Sequence, residues 1–309
     1  GVNGMSTRAA GDQLFTGDEA ITKVRVFVFV GDALEVNRLY SIGESQFDNP
    51  FVLEVATGEK DIYVVANESG SLSTALSTVY SKSQLTDLMA NTISSPLNLP
   101  LLMTGIVNGV EVVELPDPQH NNTTVILTRV AAKISLQLMK SSGNEDDVVE
   151  ITKVSLISNT KKSTLFPVPP ATALTLSTED YFNLDYTLST PLTLTATSQP
   201  INNFYVYENL GNSATNKEVA TQLEIEALYN NIETKYRVYI NEDIIDPSTV
   251  SPGDPNSSVV NIKDHYYNIR RNYHYQLTGT ISGLGEYTTL SVKVKILPWT
   301  VHEYTVPLE

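Results

Sequence analysis

The chain reads as an all-β protein, two antiparallel sandwiches in series with one or two short helices. Three observations predict this. Short segments of alternating hydrophobicity recur from end to end, and Val, Ile, Thr and Tyr dominate them. Segments of helical period are few, and the 309 residues exceed what one ordinary sandwich needs.

The first strong strand is ITKVRVFVFV. Val24, Val26, Val28 and Val30 share one face, and Phe27 and Phe29 enlarge the other, as in a strand covered on both sides. FVLEV and DIYVVAN follow. In SLSTALSTVYSKSQLTDLMANT, Leu85, Leu88 and Met89 fit a helical stripe opened by a Ser or Thr cap, which places the helices between residues 71 and 92. VNGVEVV is a strand after a turn.

VILTRVAAKISLQL is the cleanest alternation. Val130, Ala132, Ile134, Leu136 and Leu138 point one way, and Ala131, Lys133, Ser135 and Gln137 the other. The prolines of KKSTLFPVPPATA interrupt any ladder, so the expected domains are 1–167, carrying the helices, and 168–309. PLTLTA, NFYVYEN, TQLEIEALY, KYRVYI, YHYQLTGTI and TLSVKVKIL supply the second sandwich. DPSTVSPGDPNSS reads as an exposed loop.

Composition narrows function. A net charge of −15 opposes a phosphate backbone or an anionic membrane face, so no nucleic-acid partner is expected. With no cysteine there is no disulfide, thiolate nucleophile or Cys-ligated zinc. No apolar run is long enough for a membrane-spanning helix. The chain opens at Gly1, and its natural start, with any signal peptide or lipid attachment site, is expected upstream.

His120, His265, His274 and His302 lack metal-site spacing. The acidic groups Glu145, Asp146, Asp147 and Glu242, Asp243, Asp246 lack the EF-hand pattern. No nucleophile elbow, P-loop or dinucleotide fingerprint occurs, so neither an enzyme, a cofactor nor a metal is expected. A glycosidase carboxylate pair meets in space rather than in spacing and stays open on sequence grounds. The tyrosines of NFYVYEN and DHYYNIRRNYHY admit two readings: a glycan-stacking platform centred on Tyr205 and Tyr207, or cross-strand packing. Asn67, Asn121, Asn122 and Asn256 open N-x-S/T triplets.

Several phrases together resemble the fimbrillins of Bacteroidales surface pili: GDEAITKVRVFVFV, IYVVANESG, LLMTG, RVAAKISL, KKSTLFP, NFYVYEN, IRRNYHYQLTGTISGLG and LSVKVKILPWTV. The resemblance implies two transthyretin-like sandwiches, export as a lipoprotein precursor to the outer membrane, and assembly with other pilus subunits. Stalk, tip or anchor roles are all compatible with it, as is adhesion to host or bacterial surface glycans or proteins. In stalk subunits an arginine-specific protease removes an N-terminal strand, and a neighbour's C-terminal segment fills the groove.

Arg8, in the small-residue stretch STRAAGDQLFTGDEA, falls where the family's processing arginine falls. The seven residues before it make a poor strand. Either the removable strand lies upstream of this sequence, or the subunit is not processed like a stalk subunit.

The donor candidate is the C-terminal segment. Leu290, Val292, Val294 and Ile296 share one face, Pro298 breaks the ladder before Trp299, and His302, Tyr304, Val306 and Leu308 alternate again. Burying five or six such side chains is worth about 8 to 15 kcal/mol gross. The competing reading is a last intramolecular strand.

Overall fold

The computed structural model describes residues 17–42, 53–116, 119–169, 174–240, 242, 266–285, 290–299 and 302–308. Arg8, His265, Asp243, Asp246, Asn256 and the 246–258 loop lie outside the described residues.

The chain is mainly β. Its strands are β1 (Lys23–Val30), β2 (Ala33–Ser41), β3 (Gly58–Ala66), β4 (Met103–Val112), β5 (Asn121–Arg129), β6 (Ala131–Lys140), β7 (Val149–Thr160), β8 (Tyr181–Thr193), β9 (Gln199–Tyr207), β10 (Gln222–Tyr229), β11 (Ile232–Tyr239), β12 (Tyr273–Ile281), β13 (Leu290–Pro298) and β14 (His302–Leu308). Two helices, α1 (Gly70–Ser77) and α2 (Lys82–Thr86), fall in the predicted window, but of the predicted stripe only Leu85 is helical: Leu88 and Met89 lie beyond α2, and Met89 bridges to Thr164.

A six-stranded sheet runs β14-β5-β4-β3-β1-β2. Val24, Val26 and Val28 of β1 and Ile62 and Val64 of β3 share one core with Val125 and Leu127 of β5. β4 and β5 are joined by only two residue pairs, Met103 with Arg129 and Thr104 with Thr128, so the β5–β14 arm folds over that core. Gly105 lies at the fold: a Cβ there would sit 2.5 Å from the Ile126 carbonyl oxygen. On the sheet's other face, Phe27, Phe29, Tyr63 and Val65 pack under α1 and α2, so β1 is covered on both sides as its sequence predicts.

Side chains cap both helices. The Ser81 hydroxyl accepts from Gln84 N at the start of α2. At α1 the Ser69 side chain makes no cap, and Asn91 Oδ1 accepts from Leu72 N at 3.0 Å instead.

The remaining strands form a sandwich of two four-stranded sheets, β11-β10-β7-β8 and β13-β12-β6-β9, around a second core. β10 shows the expected one-sided alternation, burying Leu223, Ile225, Ala227 and Tyr229. Its hairpin to β11 turns on Asn230 and Asn231, both at positive φ (49° and 65°), which suits the twist of the flanking strands.

The structure corrects three expectations. VILTRVAAKISLQL is two strands: β5 belongs to the first sheet and β6 to the second core, with Val130 at the crossing beside Ala90 and Tyr207. Alternation carried across because a period of two marks a pleat and is blind to a change of sheet. A boundary at residue 168 would cut β6 and β7 away from their own sheets; strand pairing changes at Arg129–Ala131 instead. The proline stretch is a strap, with Leu165 and Phe166 buried against Phe29, Tyr63 and the helices. Finally, β12 pairs with β6 in parallel, so the pattern is not purely antiparallel.

Candidate functional site

The donor candidate divides between the two cores. β13 pairs antiparallel with β12, and its Val292, Val294 and Ile296 are buried in the second core with Leu290 packed against it. β14 crosses to the first sheet and pairs antiparallel with β5, His302 opposite Leu127 and Leu308 opposite Asn121. Tyr304, Val306 and Leu308 are buried in the first core, and Pro307 O accepts from Leu53 N at 3.1 Å. Among the described residues β14 is paired along its length with β5 alone and bridges in parallel to Leu53 at Leu308, and its apolar face completes a core begun nearly 280 residues earlier. In this chain the segment is therefore seated intramolecularly.

Three residues, 299–301, connect β13 to β14, and Trp299 is the first. Asn272 holds its backbone at both ends: Trp299 N donates to Asn272 O at 2.9 Å and Asn272 Nδ2 donates to Trp299 O at 3.3 Å. Asn272, at φ 60°, in turn accepts from Arg129 N through Oδ1 and donates its own N–H to Ala131 O. The indole packs against the Arg129 guanidinium, 4.1 Å from the ring centroid, and against the Tyr205 ring, stacked at 6.0 Å and 15°.

Asp18 closes this clasp. Its carboxylate pairs with Lys133 Nζ at 2.6 Å and accepts from the Tyr205 hydroxyl at 3.0 Å, while its carbonyl accepts from Arg129 Nε at 3.1 Å. Burial alone would raise the Asp18 pKa; Lys133, Tyr205 and Arg129 together hold it below its ordinary value. Tyr205 is pushed up to about 12, first by burial and then by Asp18. Asp18 is 115 positions from Lys133, and nothing in the sequence pairs them.

Of the two readings of the tyrosines, the geometry fits packing. Tyr205 stacks on Trp299, and Tyr207 is buried and donates its hydroxyl to Asn91 O at 2.7 Å, so both rings serve packing. The RRNYHYQLTGTISG stretch is frame as well. Arg271 donates to Leu165 O, Thr164 O and Ser163 Oγ and pairs with Glu208 at 2.8 Å, tying the proline strap to the sandwich. Tyr275 is fully buried and its hydroxyl accepts from Arg270 N. Gly279 faces the core where a Cβ would sit 2.7 Å from Leu138 Cδ2. Asn67 is buried, its amide bonded to Thr22 N, Ala20 O and Leu101 O, so this N-x-S/T asparagine serves the frame.

His274 Nε2 lies 2.7 Å from Ser135 Oγ. Burial, then the charge of Lys133, lowers its pKa to about 4, against an opposing pull from Asp18. The folded state therefore holds a neutral ring while the unfolded chain binds a proton below about 6.5. Stability from this group is complete above that value and is lost as pH falls through about 4. Urea midpoints at pH 7 and pH 4 should differ by less in His274→Asn than in the parent, by about 2 kcal/mol once partial exposure of the ring is discounted. Equal differences would remove His274 from the acid response.

Among the described residues, no group of three or more His, Asp or Glu is placed to hold a metal ion, and no helix is long and apolar enough to cross a membrane.

Fold and clasp define a β-rich structural chain whose last strand completes the core of its first strands. Residues 1–156 match the family model described as major fimbrial subunit protein (FimA), and the chain belongs to that family. It is 35% identical over 301 residues to the major fimbrium subunit FimC of Porphyromonas gingivalis, covering 94% of this chain and 60% of that protein. The chain thus spans about three-fifths of the length of this curated relative. Its fold is shared by solved structures, among them two fimbrial proteins. The fimbrilin FimA of P. gingivalis W83 aligns with a TM-score of 0.59 at 18% identity, covering 95% of this chain and 94% of that one. The tip fimbrial protein Mfa3 of P. gingivalis, with a C-terminal truncation, aligns with a TM-score of 0.56 at 17% identity, covering 90% and 94%. The family is one of structural fimbrial subunits, as the phrase series implied.

Proposed function

We propose that this chain is a structural subunit of a cell-surface fimbria that joins its neighbours by strand exchange, β14 of one copy replacing β14 of the next. The observation that carries the reading is the seat of β14: the last strand, on a three-residue connection, laddered to β5 and filling the first core with its apolar face. A strand held in this way in cis can be supplied in trans by an identical chain with the same register and the same buried side chains. The organisation consistent with this is two units dividing at Arg129–Ala131, with β14 bridging back to the first. Processing at Arg8 and export as a lipoprotein to the outer membrane belong to the same proposal, supported by family membership.

The test is cleavage of the full precursor with an arginine-specific protease, followed by an unboiled gel. A ladder of heat-sensitive multimers that disappears in Arg8→Ala is expected. A monomer after complete cleavage at Arg8 would refute processing-triggered self-assembly and favour a tip or anchor position in the fimbria.

A further inference from the structure

Trp299 is fixed more firmly than a connecting residue needs to be. Its backbone is bonded at both ends to Asn272, and its ring is packed against Arg129 and Tyr205. Arg129 ends β5, the strand on which β14 lies, so the clasp sits at the hinge where β14 would have to swing. The group that organises Arg129, Lys133 and Tyr205 comes from neither unit's sheets. It is Asp18, on the N-terminal segment before β1, and its carboxylate and carbonyl contact all three.

We propose that this clasp is a latch: β14 stays seated in its own chain while Asp18 holds Trp299's neighbours, and displacement of the N-terminal segment frees it. The inference rests on the strand-exchange reading and assigns its control to a point only ten positions beyond Arg8. Its physical basis is geometric. Withdrawing Asp18 leaves Lys133 and the Tyr205 hydroxyl without this carboxylate and Arg129 Nε without this carbonyl. The two groups packed on the indole then lose a shared restraint. These contacts all meet at one hinge, so their loss falls there and is not spread over a core.

Trp299 is the only tryptophan in the chain, so its emission reports the clasp directly. Two variants test the latch: Asp18→Asn, and a chain beginning at Ala20, which removes the carbonyl as well. In both, Trp299 emission should shift to the red and the β14 amides should exchange at least tenfold faster, with β10 and β12 amides unchanged as the gauge of folding. Unchanged β14 exchange in both variants would overturn the proposal, as would an equal rise at every amide, which marks a general stabiliser. The two readings fail separately. If β14 opens in the variants but no second chain ever receives it, strand exchange fails and the latch stands. If strands do exchange between chains and the variants exchange them no faster than the parent, the latch alone fails.

Discussion

A chain ending at Thr300 should lose amide protection along β5 while keeping it in β10 and β12, and a peptide spanning residues 302–309 should restore it. The reason lies in what β14 covers. Tyr304, Val306 and Leu308 are each at most 4% exposed and face Val125, Leu127 and Leu53 in one cluster. Removing them exposes both sides of the contact and leaves the β5 ladder unpaired on that edge. Three buried side chains of this size are worth about 1.5 to 3 kcal/mol each; the ordering entropy of a short strand offsets part of that, and a net loss of about 3 to 5 kcal/mol is expected. That is a large share of the total for a marginally stable fold. The second sandwich has its own core, to which β14 contributes nothing, so the effect should stay local. Hydrogen exchange with and without peptide measures this. Intact β5 protection in the truncated chain, without peptide, would show that β14 is dispensable to the core and leave strand exchange without a driving force.

Much of this was legible in the sequence, for a definite reason. Strand and helix positions follow from period and capping, which are local, and so β1, β10 and the two helices fall where they are read. The C-terminal break was legible too: Pro298 has no N–H to give a ladder, and β13 ends on it, opposite Tyr273. Which core each half joins was not. β13 and β14 carry the same alternation, and alternation specifies a buried face without naming what buries it. The same limit joined β5 to β6 across Val130. The clasp was hidden more deeply: Asp18, Arg129, Lys133, Tyr205 and Trp299 are ordinary residues in their own segments and acquire a role only when four distant stretches meet. Tyr205 shows why tyrosine density left two readings open: only the fold supplies Trp299 as the ring it stacks on.

The other large effect should come from Glu68→Ala. Glu68 is fully buried beneath the first sheet's helical cover and receives Arg25 through two nitrogens, Nε at 2.9 Å and Nη2 at 2.8 Å. Arg25 Nη1 continues to Asn37 Oδ1, and Asn37 Nδ2 to Leu76 O, so the pair links β1, β2, the end of β3 and α1. Deleting the carboxylate leaves a guanidinium that is 8% exposed without its counter-charge, at an expected cost of about 3 to 5 kcal/mol. Replacing both charges by apolar groups, as Arg25→Met with Glu68→Leu, removes the desolvation cost together with the attraction. The double variant should therefore lie within about 2 kcal/mol of the parent, the remainder reflecting the Asn37 contact. Urea unfolding of the parent, both single variants and the double variant gives the coupling directly. A double variant as unstable as the sum of its singles would mean that the pair contributes by packing and hydrogen-bond reach, and that the charges themselves are incidental to how α1 is held against β1.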